Sequence, residues 1–202
     1  MASDYEALAQ LALWERQARV RRLDGELAAC FWPDATVTTS WMSGSVEEYL
    51  HVGDARGRRA EASDDELITC RSSAPNVHMR GNRAYVELPV ETNHWVRVHG
   101  KEAIWTSLMR LVYRFEKRGN NWKISDMTSL FEADKLAPAV PGDDLGIDPT
   151  DLEGLRRSYR WLAYVRTQAG GTVSQDLPGT DRPEDVERVY GAAKDWLNGG
   201  HI

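Results

Sequence analysis

The chain has 202 residues, of which 42% are hydrophobic and 28% are charged, and its net charge is −6. These values are typical of one large globular domain, or of one domain with an extension. The negative charge argues against a general nucleic-acid-binding role, and no apolar run approaches the ~18 residues of a membrane span. The start lacks a signal-peptide pattern, so we predict a cytoplasmic protein in which Cys30 and Cys70 stay reduced.

The N-terminal segment is predicted to form a long helix. Ser3 and Glu6 have the spacing of a capping box, and apolar residues follow at near-helical spacing. We expect a break near Asp24-Gly25 and a restart through Glu26–Phe31. Pro33 should end this helical region, because proline cannot continue the hydrogen-bond ladder.

Two short elements are predicted next. Thr36–Trp41 is rich in β-branched residues and predicts a strand. Ser45 and Glu48 repeat the capping-box spacing, which predicts a helix over Val46–Gly53. The polar stretch Asp54–Asp65 either continues this helix or forms a loop.

The middle of the chain is predicted to form an antiparallel sheet. Short strands are expected at Leu67–Arg71 and Asn76–Arg80. Three long strands follow at Arg83–Val98, Ile104–Glu116 and Trp122–Phe131, joined by tight turns that contain glycine. Helices followed by such a meander indicate an α+β fold.

The composition changes after residue 136, where prolines and glycines indicate a linker. Two helices are predicted beyond it, one with an apolar stripe from Leu152 to Val165 and one that begins at Pro183. Short helices of this kind are unstable alone in water, so we expect both to pack on the domain or on a partner subunit. The chain therefore divides into a domain at 1–136 and a two-helix C-terminal extension at 137–202.

Three segments after the capped first helix carry a family resemblance. They are DGELAACFWPDATVT at Asp24–Thr38, the hairpin GNRA at Gly81–Ala84 and the strand YRFEKRGNNWKISD at Tyr113–Asp126. In this order and spacing they resemble the SnoaL-like branch of the nuclear transport factor 2-like (NTF2-like) superfamily. The resemblance implies a cone, made of a curved antiparallel sheet wrapped around the N-terminal helix, with a pocket at its open end.

The family resemblance also implies a homodimer through the outer face of the sheet. The partly apolar second face of Ile104–Val112 supports this expectation, because such a face needs cover.

The resemblance further indicates where catalytic residues would lie. With FWPDA as the anchor, the family's helical tyrosine and aspartate fall on Arg16 and Arg21, and its first histidine falls near Arg71 or Ser72. The chain therefore departs from the family's catalytic pattern at three places. His94 lies where the family often has a histidine on a strand.

Three residues are candidates for catalysis. Alternation along its strand points His94 into the cone, either as a general base or donor, or as a core histidine. Asp24 is either a pocket acid or a residue that turns the chain at a helix break. Tyr49 either presents its hydroxyl at the pocket mouth or packs in the core.

Three further residues are candidates for substrate binding. Arg16 shares a predicted helix face with Leu13 and Val20, and it either binds a ligand carboxylate or enolate or forms a structural ion pair. Trp41 either lines an aromatic pocket or packs in the core. Arg110 lies on a central strand, on the face opposite Tyr113.

Two functions are compatible with these features. The first is a cofactor-independent acid–base enzyme, of the isomerase, dehydratase or cyclase type, that acts on a small oxygenated apolar molecule. The alternative is a non-catalytic small-ligand-binding or assembly module of the same fold, which the missing family residues favour. In both cases we expect a small-molecule ligand, and no metal or cofactor, because no ligand-spaced histidine or phosphate-loop motif occurs. The negative charge and the lack of a long apolar run predict no nucleic-acid or membrane partner.

Overall fold

Residues 3–51 and 67–200 are described by a computed structural model. In it, helix α1 (Asp4–Val20) begins at the predicted capping box. The Ser3 amide donates to the Glu6 carboxylate at 2.7 Å, and the Glu6 amide donates to the Ser3 hydroxyl at 3.3 Å. The chain reverses at Arg22, whose φ is 56°, and α2 (Asp24–Ala29) follows. The cap and the break are confirmed, although the second helix already begins at Asp24.

Strand β1 (Phe31–Thr38) corrects the prediction that the helical region continues through Phe31. Pro33 lies inside this strand. It is tolerated there because the parallel pairing of β1 is irregular between Phe31 and Thr36, so that no ladder hydrogen bond from residue 33 is needed.

The second capping box is also confirmed. After β2 (Ser43–Ser45), the Ser45 amide donates to the Glu48 carboxylate at 2.9 Å, and residues 46–51 form the helical segment α3. The rest of the predicted helix and the stretch Asp54–Asp65 lie outside the described residues.

The predicted sheet is confirmed, and its last two strands are longer than expected. Its strand order is β2-β1-β7-β6-β5-β3, with β4 also paired to β5, and it is antiparallel except between β1 and β7. The sheet is curved and unclosed, and it wraps around α1. The strands after β2 are β3 (Ile68–Ser72), β4 (Asn76–Arg80), β5 (Arg83–Val98), β6 (Lys101–Arg118) and β7 (Asn121–Pro138).

The inner face of the sheet forms the main core against α1. Alternate residues of β5 and β6, such as Val86 and Leu111, pack around the helix. The buried stripe of α1 lies one position away from the predicted one. Leu13, Arg16 and Val20 only border it and are partly buried. The stripe itself consists of Leu8, Ala12, Glu15 and Ala18.

The C-terminal extension packs on both faces of the sheet. Its first predicted helix is shorter than its apolar stripe, with two 3-10 turns before α4 (Arg160–Gln168). Helix α4 lies against the inner face at the far end of β5–β7, and α5 (Pro183–Leu197) lies against Tyr85 and Val112 of the outer face.

Residues 169–182, here called the strap, connect α4 and α5 around the edge of β7. The Phe131 amide donates to the Pro178 carbonyl at 2.9 Å, and the Thr180 amide donates to the Phe131 carbonyl at 2.9 Å. Both helices of the extension therefore pack on the domain of their own chain, and α5 covers part of the face for which we expected a partner subunit. Among the described helices, none combines the length and the apolar character that crossing a bilayer requires.

Candidate functional site

A buried carboxylate lies inside the cone. Glu15 projects from α1 with no solvent exposure, and Tyr113 of β6 donates a 2.6 Å hydrogen bond to its Oε2. Tyr49 of α3 approaches the other oxygen, Oε1, at 3.4 Å. With the neighbouring Arg16, these residues form what we call the carboxylate cluster.

Arg16 supplies the positive charge of the carboxylate cluster. Its Nη2 lies 3.9 Å from Glu15 Oε1, and its side chain is 11% exposed. Burial by itself lowers the pKa of Arg16, but Glu15 together with the nearby Tyr49, Tyr113 and Cys70 outweighs this and raises the pKa above its usual value. The Nε of Arg16 is buried and has no hydrogen-bond partner in the part of the chain that the structure describes, so the cluster retains one unused donor.

The two tyrosines of the cluster are held as proton donors. Burial raises the pKa of Tyr113 well above its usual value, and the nearby Glu15 carboxylate raises it further. Burial and Glu15 act on Tyr49 in the same direction. Both phenols therefore stay protonated at neutral pH and can stabilise a negatively charged oxygen.

Trp41 extends the cluster toward the end of β1. Its ring stacks on Tyr49, with centroids 5.3 Å apart and an interplanar angle of 10°. The Arg19 guanidinium lies 4.5 Å from the Tyr49 ring centroid and 5.2 Å from that of Trp41, within the range of cation–π attraction. The structure thus brings together Arg16, Tyr49 and Trp41, three of the six predicted site residues.

A second set of polar side chains, here called the polar row, lies on the inner face under α4. Thr92, Ser107 and Asp134 are direct neighbours across β5, β6 and β7. Each has a buried side-chain oxygen without a hydrogen-bond partner in residues 3–51 and 67–200. The other Asp134 oxygen accepts from the Leu162 amide at 2.8 Å, and burial raises the pKa of Asp134. The row has hydrogen-bonding capacity that the described residues do not use.

Cys70 connects the polar row with the carboxylate cluster. It pairs with Thr92 on the neighbouring strand, and it lies close enough to Arg16 for the Arg16 charge to affect the pKa of its thiol. Burial raises the pKa of Cys70, while the Arg16 charge opposes the rise. The thiol is neutral at ordinary pH and forms no disulfide.

His94 lies next to the polar row and not in the carboxylate cluster. It is on the inner face, as expected, and its ring stacks on Trp105 at 4.4 Å. Val86 pairs with Tyr113, and His94 is eight residues further along β5. At about 3.3 Å per residue this is roughly 26 Å along the strand. A role for His94 therefore involves the far end of the cone.

Asp24 and Arg110 lie outside the cone. Asp24 is the exposed first residue of α2. Arg110 is on the outer face, because strand alternation puts it opposite Tyr113, and it donates to Glu132 at 2.6 Å and to Tyr190 of α5 at 2.8 Å. Arg110 therefore holds α5 on the sheet. No group of three or more side chains with metal-ligand geometry occurs in the described residues.

Glu15 was missed by the sequence analysis. The helix face was assigned through the larger apolar residues Leu13 and Val20, which made Arg16 the inner polar residue. The available signal was the set of small and apolar residues at helical spacing around Glu15, namely Leu8, Ala12 and Ala18.

Two curated proteins are similar to this chain in sequence. It is 30% identical over 179 residues to a PEP2-like protein of Fusarium vanettenii, covering 85% of this chain and 76% of that protein. It is 30% identical over 186 residues to an uncharacterized protein of Emericella nidulans, with the same two coverages, 85% and 76%. No protein-family model matches the sequence.

Solved structures share the fold at low sequence identity. A candidate scytalone dehydratase from Novosphingobium aromaticivorans has a TM-score of 0.54 and 13% identity, covering 72% of this chain and 95% of that one. A type 2 hexachlorocyclohexane dehydrochlorinase (LinA) has a TM-score of 0.54 and 15% identity, covering 72% and 100%. The fold is thus the NTF2-like one that the family resemblance implied, and the sequence relationship shows that the chain belongs to the family of PEP2-like proteins.

Proposed function

We propose that this chain is a cofactor-independent acid–base enzyme of the SnoaL-like type that acts on a small oxygenated apolar molecule. The observation that carries the proposal is the Glu15 carboxylate, fully buried in the cone and hydrogen-bonded by Tyr113 at 2.6 Å. A buried carboxylate beside two protonated phenols and a guanidinium combines a proton acceptor with donors for a developing oxyanion.

The proposed reaction begins with the loss of a proton next to a carbonyl group. The C–H bond breaks, the proton passes to Glu15, and the electron pair moves to the carbonyl oxygen as an enolate. Tyr113 and Tyr49 turn their hydroxyl hydrogens from Glu15 to that oxygen, and the positive charge of Arg16 stabilises it. Return of the proton from Glu15 to another carbon completes an isomerisation. In a dehydration, the enolate re-forms the carbonyl, the C–O bond to the β-hydroxyl breaks, and that hydroxyl takes the proton from Glu15 and leaves as water.

One further observation supports this proposal. Two proteins of the same fold are named for elimination reactions, one as a dehydratase and one as a dehydrochlorinase. Fold alone does not assign chemistry, so the proposal depends on Glu15.

Hydrogen–deuterium exchange on a simple ketone tests the proposal. The probe is 2-tetralone, a small apolar bicyclic ketone with acidic C–H groups, followed by proton NMR in deuterated water. We expect exchange above the buffer rate with the wild type and a loss of about 10²–10⁴-fold in Glu15→Gln, the usual contribution of a general base. Glu26→Gln is the matched control, because Glu26 is exposed on α2. A folded Glu15→Gln variant with the wild-type exchange rate would contradict the proposal.

The alternative is ligand binding without turnover. It is favoured by the burial of the cluster. Glu15, Tyr49 and Tyr113 are at most 1% exposed, and the two tyrosines already donate hydrogen bonds to Glu15. In that case the wild type would exchange 2-tetralone no faster than buffer does. A small molecule that copurifies with the protein, identified by mass spectrometry, would then support the binding function.

A further inference from the structure

We infer that the C-terminal extension builds a second ligand site, on the outer face of the sheet, for a neutral molecule with an apolar body and several hydroxyl or carbonyl oxygens. The basis is a cavity of about 560 Å³ that lies between the outer face, residues 38–43 and the extension. Its volume is within the roughly 300–1,000 Å³ of sites that hold small molecules. The cavity lies on the outer face and the carboxylate cluster on the inner one, although Trp41, which stacks on Tyr49, also lines the cavity. The site goes beyond the function proposed above.

The walls of the outer cavity combine apolar surface with hydroxyl groups. Val112 of the sheet faces Val189 and Ala193 of α5, which gives the cavity an apolar side. Residues 38–43 and the strap contribute both hydroxyl groups and apolar side chains such as Trp41, and Thr128 adds a further hydroxyl. An occupant with an apolar body and several oxygens matches this mixed lining.

The charges of the outer cavity are paired, so it favours a neutral ligand. On its floor, Arg114 Nη2 lies 2.8 Å from Asp126, which also accepts from Thr36 at 2.5 Å and from Thr128 at 3.3 Å. Both oxygens of the Asp126 carboxylate therefore have a partner. Arg114 makes no other hydrogen bond in the described part of the chain, and its remaining N–H groups are available to a ligand oxygen.

The other two charged residues of the cavity are paired with residues outside its lining. Arg188 binds Asp185 at 2.8 Å, and Asp176 lies 3.3 Å from Arg182. No unpaired charge of either sign therefore remains among the lining residues. A charged ligand would find no unsatisfied counter-ion there, whereas a neutral hydroxyl or carbonyl requires none.

The outer cavity is held open by contacts that anchor the extension. Trp196 donates to the Phe115 carbonyl at 3.1 Å, and Arg83 donates to the Trp196 carbonyl at 3.1 Å. On the other side, Arg156 bonds Asp181 and donates to the Leu177 carbonyl at 2.7 Å. These contacts fix the C-terminal end of α5 and the strap. The fold therefore maintains the space between them and the sheet.

A blocking substitution tests this inference on the full-length protein. The probe is (+)-catechin, a neutral molecule with aromatic rings and several hydroxyls, and binding is followed by titration calorimetry and by amide chemical shifts. Ala192→Trp fills the cavity from an exposed position on α5, and Glu187→Trp adds the same side chain to the same helix outside the lining. We expect catechin to bind the wild type and Glu187→Trp equally, with at least a tenfold loss in Ala192→Trp.

The chemical shifts add a second criterion for the outer site. The amides of residues 172–177 and 188–193 should shift with catechin in the wild type and stay unchanged in Ala192→Trp. The inference would be overturned by equal catechin affinity in Ala192→Trp and the wild type, or by no binding to the wild type at millimolar concentration. Shifts confined to residues of the cone interior would also overturn it.

Discussion

Glu15 is the residue on which the functional account depends. A carboxylate inside a protein is costly unless charges and hydrogen bonds compensate it. Here Tyr113, Tyr49 and Arg16 provide that compensation. An apolar residue at this position would pack without such partners. A chemical role therefore explains the cluster better than packing does.

The hydrogen bond from Tyr113 gives a prediction about stability. Tyr113→Phe removes the shorter of the two phenol contacts and leaves Glu15 with less compensation for its burial. We expect the free energy of unfolding to fall by about 1–3 kcal/mol, the usual cost of leaving a buried polar group unsatisfied. Denaturant unfolding measures it, with Tyr5→Phe as the control because Tyr5 is 51% exposed. Equal unfolding curves for Tyr113→Phe and the wild type would show that the bond contributes nothing.

The sequence predicted part of this site and missed its centre. Arg16 was recognised from its predicted helix face, and Tyr49 and Trp41 from their aromatic character. Glu15 was not, because a helix inside a cone is contacted on most of its sides. Apolar residues then occur around much of α1, and the size of Leu13 misled the choice of face.

At the scale of elements, the strap is fixed by an ion-paired aspartate. Burial alone would raise the pKa of Asp181, but hydrogen bonds from Arg156 and Ser158 outweigh it and lower the pKa from 3.8 to about 2. The folded pKa is below the ordinary one, so the stabilisation is complete above pH 3.8 and is lost as the pH falls toward 2.

A pH series tests this role of Asp181. We expect the melting temperature of Asp181→Asn to lie below that of the wild type at pH 5, with the gap closing as the pH falls toward 2. Asp176→Asn is the control, since Asp176 is 88% exposed in its pairing with Arg182. A gap that stays constant across this pH range would mean that the charge of Asp181 does not stabilise the strap.

Some elements were predictable from local signals and others depended on the tertiary fold. Both capping boxes and the hairpin turns hold because their hydrogen bonds form within a few residues. Pro33 misled the prediction, because its tolerance in β1 depends on irregular pairing with the distant strand β7. The prediction for the first helix of the extension failed similarly, since Gly154, with φ of 75°, precedes α4 in a region shaped by packing on the sheet.

At the scale of the whole molecule, α5 changes the expectation for assembly. It covers Tyr85 and Val112 on the outer face, which removes part of the apolar surface that favoured a homodimer there. The other end of this face stays open, and Leu108 is 37% exposed on it. We therefore propose that the homodimer forms through the part of the outer face that α5 leaves uncovered.

Light scattering tests this assembly. We expect a dimer for the wild type at micromolar concentration and a monomer for Leu108→Arg, because a buried unpaired charge at an interface is strongly unfavourable. Val140→Arg is the matched control, since Val140 is 53% exposed and lies after the end of β7. A monomeric wild type, or a dimeric Leu108→Arg variant, would contradict the proposed interface.

The central claim is that the carboxylate cluster receives the reacting oxygen of a substrate, and a crystal structure with 2-naphthol tests it most directly. This planar molecule is a stable analogue of the enol of 2-tetralone. We expect its hydroxyl oxygen to lie within hydrogen-bond distance of the Tyr113 or Tyr49 hydroxyl, with the ring system on the inner face of the sheet. A crystal soaked to saturation in which 2-naphthol leaves the cone empty, or lies in the outer cavity alone, would contradict the claim.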